Sequence, residues 1–140
     1  MYKRFLRPLL FTLNPETVHN LMVGLVKFLF RIPLIPKLVS PCCNIKDPRL
    51  HRVFFGLYFK NSVGLAAGFD KDAKIFRELK HFGFSFIEIG TVTPFGQPGN
   101  PKPRSFRLPK DKALINRMGF NNLGVDQAVK ELQKRDAQLI

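Results

Sequence analysis

Ser62-Val63-Gly64-Leu65-Ala66-Ala67-Gly68-Phe69-Asp70-Lys71 decides how this chain folds. A short apolar run gives way to small residues, then to an aspartate and a lysine. A strand reads this way when it leaves a core and enters a loop that must approach a ligand closely. Working outward, residues 62–67 predict a strand, 72–82 a helix, and 84–92 a second apolar-rich strand through Phe86, Ile87 and Ile89. Residues 53–59 predict a further strand ahead of these. The Gly- and Pro-rich segment 94–103 predicts a loop, 105–108 and 113–115 short strands, and 125–135 a helix with Lys/Glu pairs. The order strand, helix, strand, excursion, helix is the opening of an alternating β/α fold. No internal repeat or low-complexity tract interrupts it.

Upstream the period changes. Phe5, Leu6, Leu9, Leu10 and Leu13 recur at helical spacing, with Lys3, Arg4 and Arg7 on the other side, so residues 2–13 predict a short helix. Asn14 then reads as an N-cap, Pro15 suits the first helical position, and Glu16 complements the helix dipole. This second helix is expected to reach about residue 30, with Val18, Leu21, Met22, Leu25, Val26 and Leu29 on one face, and to stop before Pro33 and Pro36. The domain reading is a two-helix hairpin over 1–36, an irregular linker with Pro41 and Pro48 over 37–52, and the β/α part over 53–140. The hairpin's apolar face either covers the protein's own core or lies partly in a bilayer, as a funnel for a lipid-soluble substrate.

Charge bears on that choice. The 140 residues carry a net charge of +13. Residues 1–60 hold ten Lys/Arg against only Glu16 and Asp47, whereas the remaining eighty hold thirteen against eight. In the first third the basic residues alternate with large apolar ones and form no run. That favours an anionic membrane surface over nucleic acid, so no nucleic-acid partner is expected. The most apolar segment, 21–30, is ten residues long and contains Lys27, well short of the roughly 20 residues of a membrane span. No small-residue cleavage site follows an apolar run, so no cleavable signal is expected. Cys42 and Cys43 are adjacent and cannot easily bridge each other, which points to a reducing compartment and no metal site.

Two segments carry candidate chemistry. In a β/α barrel, functional residues gather where strands end and loops begin. Ala66-Ala67-Gly68-Phe69-Asp70-Lys71 falls at one such end and Gly90-Thr91-Val92-Thr93 at the next. Small residues there admit a flat or phosphorylated ligand, and Lys71 offers a cation to a carboxylate or an anionic ring. The plain alternative for Lys71 is a solvated surface lysine. The second segment, Asn116-Arg117-Met118-Gly119-Phe120-Asn121-Asn122, sets three amides and an arginine around a glycine. Amides match the donor and acceptor edges of a pyrimidine, while a turn with Asn at left-handed positions is the plain alternative.

With both segments in order, the chain resembles the N-terminal part of the class 2, quinone-dependent dihydroorotate dehydrogenases. The resemblance runs through Asn14-Pro15-Glu16 with His19, then residues 64–72, 87–94 and Pro98-Gly99-Asn100. It continues through Pro103-Arg104, Phe106-Arg107-Leu108 and residues 115–126. It implies an α/β fold, the start of a (β/α)8 TIM barrel behind a membrane-associating hairpin. By resemblance, Ala67, Gly68, Phe69, Asp70, Lys71 and Thr91 bind FMN. Lys71, Asn116, Arg117, Met118, Gly119 and Phe120 hold dihydroorotate or orotate, and His19 and Arg107 line a quinone path. The family reaction removes a proton from C5 of (S)-dihydroorotate and a hydride from C6 in pyrimidine (UMP) synthesis, and a membrane quinone accepts the electrons. The implied location is peripheral, on the cytoplasmic face of a bacterial inner membrane.

Such a barrel takes about 250 residues. The family's serine base, by resemblance, is expected beyond Ile140, and Ser105 does not match it. The chain is therefore expected to be an N-terminal fragment that alone neither retains FMN nor turns over substrate. An inactive truncated product docking at membranes and a small basic nucleic-acid-binding module are the competing readings.

Overall fold

The structure, a computed structural model, describes residues 2–134. Its first turn, Tyr2–Leu6, is π-helical and runs into α1, Arg7–Phe11. Thr12 closes α1, its amide and hydroxyl both donating to the Leu9 carbonyl. Asn14 then leaves helical space at φ −58°, ψ 139°, and its Oδ1 accepts from the Glu16 amide at 2.9 Å. That cap satisfies one of the orphan donors at the start of α2, Pro15–Leu29.

A third helix, α3, spans Leu34–Cys43, within the stretch where the prolines predicted a stop and then a linker. Pro33 precedes the first turn and Pro36 sits inside it, where a backbone N–H has no intrahelical partner to lose. Pro41 lies near the far end and costs one hydrogen bond. α3 is fastened by Ser40 Oγ, 2.7 Å from His81 Nδ1, and by Asn44 Nδ2, which donates to the Ser40 and His81 carbonyls. No helix among the described residues is long and apolar enough to cross a membrane.

The single strand expected over 53–59 is a hairpin. β1, Arg52–Phe54, pairs antiparallel with β2, Leu57–Phe59, with Val53 opposite Tyr58. Phe55 and Gly56 make the two-residue turn at φ 52° and 74°, the twist-matched arrangement for adjoining strands. Phe at the first turn position is what concealed it.

β3, Gly64–Leu65, and β4, Phe86–Ile87, form the parallel pair that a β/α unit requires, in register Gly64 with Phe86 and Leu65 with Ile87. Both strands are shorter than the patterns 62–67 and 84–92 suggested. The helix expected over 72–82 is reduced to α4, Phe76–Leu79, followed by a 3-10 turn, Lys80–Phe82. Asp70 explains the late start. Its carboxylate, 4% exposed, accepts from the Lys74 amide at 2.7 Å and the Ile75 amide at 2.9 Å, which holds residues 70–75 as a loop.

β5, Phe95–Gln97, lies inside the expected loop 94–103 and pairs antiparallel with β8, Asn122–Gly124. β6, Ser105–Leu108, and β7, Ala113–Asn116, pair antiparallel where short strands were expected. α5, Val125–Leu132, occupies the site of the helix expected over 125–135, whose last residue lies outside the described ones. Among the described residues the buried apolar side chains are Ala73 and Ile75 in the 70–75 loop, Phe76 and Leu79 on α4, and Ala128 on α5.

Candidate functional site

The ends of β3 and β4 open onto a cleft of about 670 Å³. Ala67, Gly68, Phe69, Asp70, Lys71 and Thr91 line one side; Asn116, Arg117, Met118, Gly119, Phe120 and Asn121 line the other. Glu16 and His19, one helical turn apart on α2, face the same cleft. Thus all eleven residues expected to bind cofactor or substrate meet at one place, together with one of the two assigned to the quinone path.

Lys71 ties the two motifs together. Its Nζ donates to Asn121 Oδ1 at 2.7 Å across fifty positions of sequence. Burial and the nearby Arg104 charge push the Lys71 ammonium below its ordinary pKa, while Glu16 and Asp72 oppose them. Gly68 and Gly90 hold the two strand-end loops together through the Gly68 amide, which donates to the Gly90 carbonyl at 2.7 Å. Asp70 is committed elsewhere: both carboxylate oxygens bind the amides of its own loop, so its side chain shapes the cleft wall.

His19 packs edge-on against Phe69, ring centroids 4.9 Å apart. Burial depresses its pKa foremost, Asp70 opposes that, and Lys71 adds to it. Arg107 stands apart from the cleft. Its guanidinium covers the Phe11 ring at 4.5 Å and donates to the Leu13 carbonyl, at the junction between α1 and α2.

The 116–122 segment is held by backbone it does not contain. Asn100 donates from its amide to the Met118 carbonyl at 3.1 Å, and from Nδ2 to the Arg117 carbonyl at 2.7 Å. The Arg117 amide donates to the Arg104 carbonyl at 2.8 Å. Asn122, 6% exposed, is structural, with Nδ2 donating to Thr93 Oγ1 and the Phe120 carbonyl, and Oδ1 accepting from the Gly124 amide. Gly99 makes the close approach possible: at φ +73°, a Cβ would stand 2.2 Å from the Met118 carbonyl oxygen. Gly99→Ala is expected to destabilise the protein by at least the roughly 1–2 kcal/mol of a left-handed alanine, with the clash adding to it. A urea midpoint unchanged from the parent would contradict this.

Sequence reading missed two participants. Asn121 is one of the three amides matched to a pyrimidine edge but not one of the assigned site residues, and Glu16 carries a helix-dipole role and a place in the Asn14-Pro15-Glu16 match but no part in the site. Glu16 forms a two-point ion pair with Arg104, at 2.7 Å from Nη2 to Oε1 and 3.0 Å from Nε to Oε2. Lys102 stands 3.4 Å from Oε1. The Arg104 hydrogen bonds, chiefly, hold the Glu16 carboxyl below its ordinary range, against the effect of burial. A carboxyl depressed in the folded state adds stability above its unfolded pKa and loses it as pH falls through the folded one. Glu16→Gln is therefore expected to be less stable at neutral pH yet to lose less on acidification below about pH 4.5. Thermal melts of both proteins across that range check it.

The chain is similar to known proteins along its whole length. A protein-family model described as dihydroorotate dehydrogenase matches residues 49–140. The dihydroorotate dehydrogenase (quinone) of Christiangramia forsetii is 51% identical over all 140 residues, which cover 41% of its own length. The protein of the same name from Coxiella burnetii is 51% identical over 135 residues, 96% of this chain and 38% of that one. Among solved structures, DHODH from Eimeria tenella in complex with ferulenol aligns with a TM-score of 0.69 and 43% identity, over 86% of this chain and 30% of that one. The chain thus spans about two fifths of the length of the curated relatives it matches, and its α/β fold is that of the start of a TIM-barrel family.

Proposed function

This chain belongs to the dihydroorotate dehydrogenase family, and from that premise we propose that it forms the N-terminal part of a quinone-dependent member. In this reading the whole protein oxidises (S)-dihydroorotate to orotate with FMN and passes the electrons to a membrane quinone. The observation that carries it is the Lys71–Asn121 contact, which brings a cofactor-type strand end and an amide-rich loop to one cleft.

The residues present fit a flavin. A cleft of about 670 Å³ lies within the roughly 300–1,000 Å³ of small-ligand sites. Its wall at Ala67 and Gly68 is small: a Cβ built on Gly68 meets nothing within 4 Å. Ala67, Gly68, Phe69, Asp70, Lys71 and Thr91 are assigned to hold FMN, with Asp70 acting through the loop it orders. When bound, FMN supplies the two-electron acceptor. Lys71 orients the orotate carboxylate and offsets negative charge developing beside it, as a preorganised donor in a partly buried site. Asn116, Arg117, Met118, Gly119 and Phe120 present amide and backbone groups to the pyrimidine edge.

His19 and Arg107 are assigned to the quinone side, because α2 carries one and the α1–α2 junction holds the other. Residues 1–36 are assigned to membrane contact. Leu21, Leu25 and Phe28 are exposed on α2, and residues 1–60 carry ten Lys/Arg against Glu16 and Asp47, which suits peripheral docking at an anionic bilayer on the cytoplasmic face. The piece alone is assigned no activity, since it spans about two fifths of its relatives. The native protein, captured with an antibody to residues 1–36, is expected to exceed 16.1 kDa and to release FMN on denaturation. A flavin-free product of 16.1 kDa would count against this reading.

A further inference from the structure

We propose that Glu16 and Arg104 are positioning residues, whose ion pair sets the 116–121 loop, and through Asn121 the Lys71 ammonium, against the first turn of α2. This rests on the functional reading above, in which that loop meets the substrate.

The path is continuous in hydrogen bonds. Arg104 is 5% exposed and its fork faces two ways. Nε and Nη2 take both Glu16 oxygens, while Nη1 donates to the Pro98 and Asn100 carbonyls. Asn100, so fixed, donates twice to the substrate loop, at Met118 and Arg117, and the Arg104 carbonyl receives the Arg117 amide. The same loop ends at Asn121, which receives Lys71. A planar guanidinium serves here because its donors are spaced rigidly, whereas a lysine is a point charge and would hold one side only. Glu16 and Arg104 lie eighty-eight positions apart, and no side-chain bond from either to a substrate atom is needed for the effect. α2 is also sensed by the cleft through His19 on Phe69, so the helix has two contacts that register its position.

The test uses the 140 residues completed by those that follow the matched segment in the Christiangramia forsetii relative. Steady-state rates are measured with dihydroorotate and a soluble quinone, per mole of bound flavin, together with flavin content and melting temperature. Glu16→Gln is expected to raise KM for dihydroorotate about tenfold, with kcat per flavin within about twofold, as for misplaced binding groups. Glu16→Asp, which keeps the charge, is expected to fall between. A purely structural role would lower melting temperature and flavin content while KM of the flavin-bearing enzyme stayed at the parental value, and that result overturns the proposal. Should Glu16→Gln fail to fold, Arg104→Lys carries the same expectation. A parent that binds flavin yet ignores dihydroorotate overturns the functional reading and this proposal with it. A working parent with an unmoved variant KM overturns this proposal alone.

Discussion

Replacing Lys71 with alanine is expected to lower kcat/KM for dihydroorotate in the completed enzyme by about 100- to 1,000-fold, the loss typical of one preorganised donor at developing charge. Two features make the effect this large. The ammonium sits partly buried, where its interactions are less screened than in water and desolvation pushes its pKa down. It is also held, by Asn121 at 2.7 Å, so little ordering remains to be done when substrate arrives. Lys71→Arg is not a conservative control, because the longer planar group cannot occupy the Asn121 contact in the same way. The fold is expected to survive, since Lys71 lies outside the buried core. Unaltered kcat/KM would mean that Lys71 is the solvated lysine of the plainer reading.

Replacing Arg104 with alanine is expected to have the largest effect on stability. Removing one member of a buried, hydrogen-bonded ion pair costs about 3–5 kcal/mol, mostly because the other charge is stranded. The lower end, about 3 kcal/mol, applies here because Glu16 borders the cleft and retains some contact with water. The Pro98 and Asn100 carbonyls lose their donor as well. Arg49 and Asp47 supply the control, for their pair is as short, at 2.7 Å, yet the Arg49 side chain is 89% exposed. Arg49→Ala is expected to leave the denaturation midpoint where it was, because exposed pairs contribute little. Equal losses in the two variants would refute the distinction by burial.

What could be read from sequence was mostly local. The Asn14-Pro15-Glu16 start was legible because a cap acts within three residues, and the short strands expected over 105–108 and 113–115 because their apolar patterns are local; their antiparallel pairing was not read from the sequence. The two motifs were legible as chemistry, by residue type and by family resemblance. α3 was hidden by Pro36 and Pro41, whose cost depends on where a helix starts and ends. The hairpin at Phe55-Gly56 was hidden because a bulky residue took a left-handed position. Asp70, assigned to the cofactor by resemblance, also orders the backbone of its own loop through both carboxylate oxygens, which its residue type alone does not reveal. The Glu16–Arg104 pair had no local signal at all, since its partners meet only after the chain has folded.

The most direct measurement is an anaerobic flavin spectrum of the completed enzyme on addition of dihydroorotate. Loss of the visible flavin absorbance in the parent, with recovery on adding quinone, is the result this account predicts, together with a much slower loss in Lys71→Ala. Bound flavin that dihydroorotate leaves oxidised in the parent would contradict it.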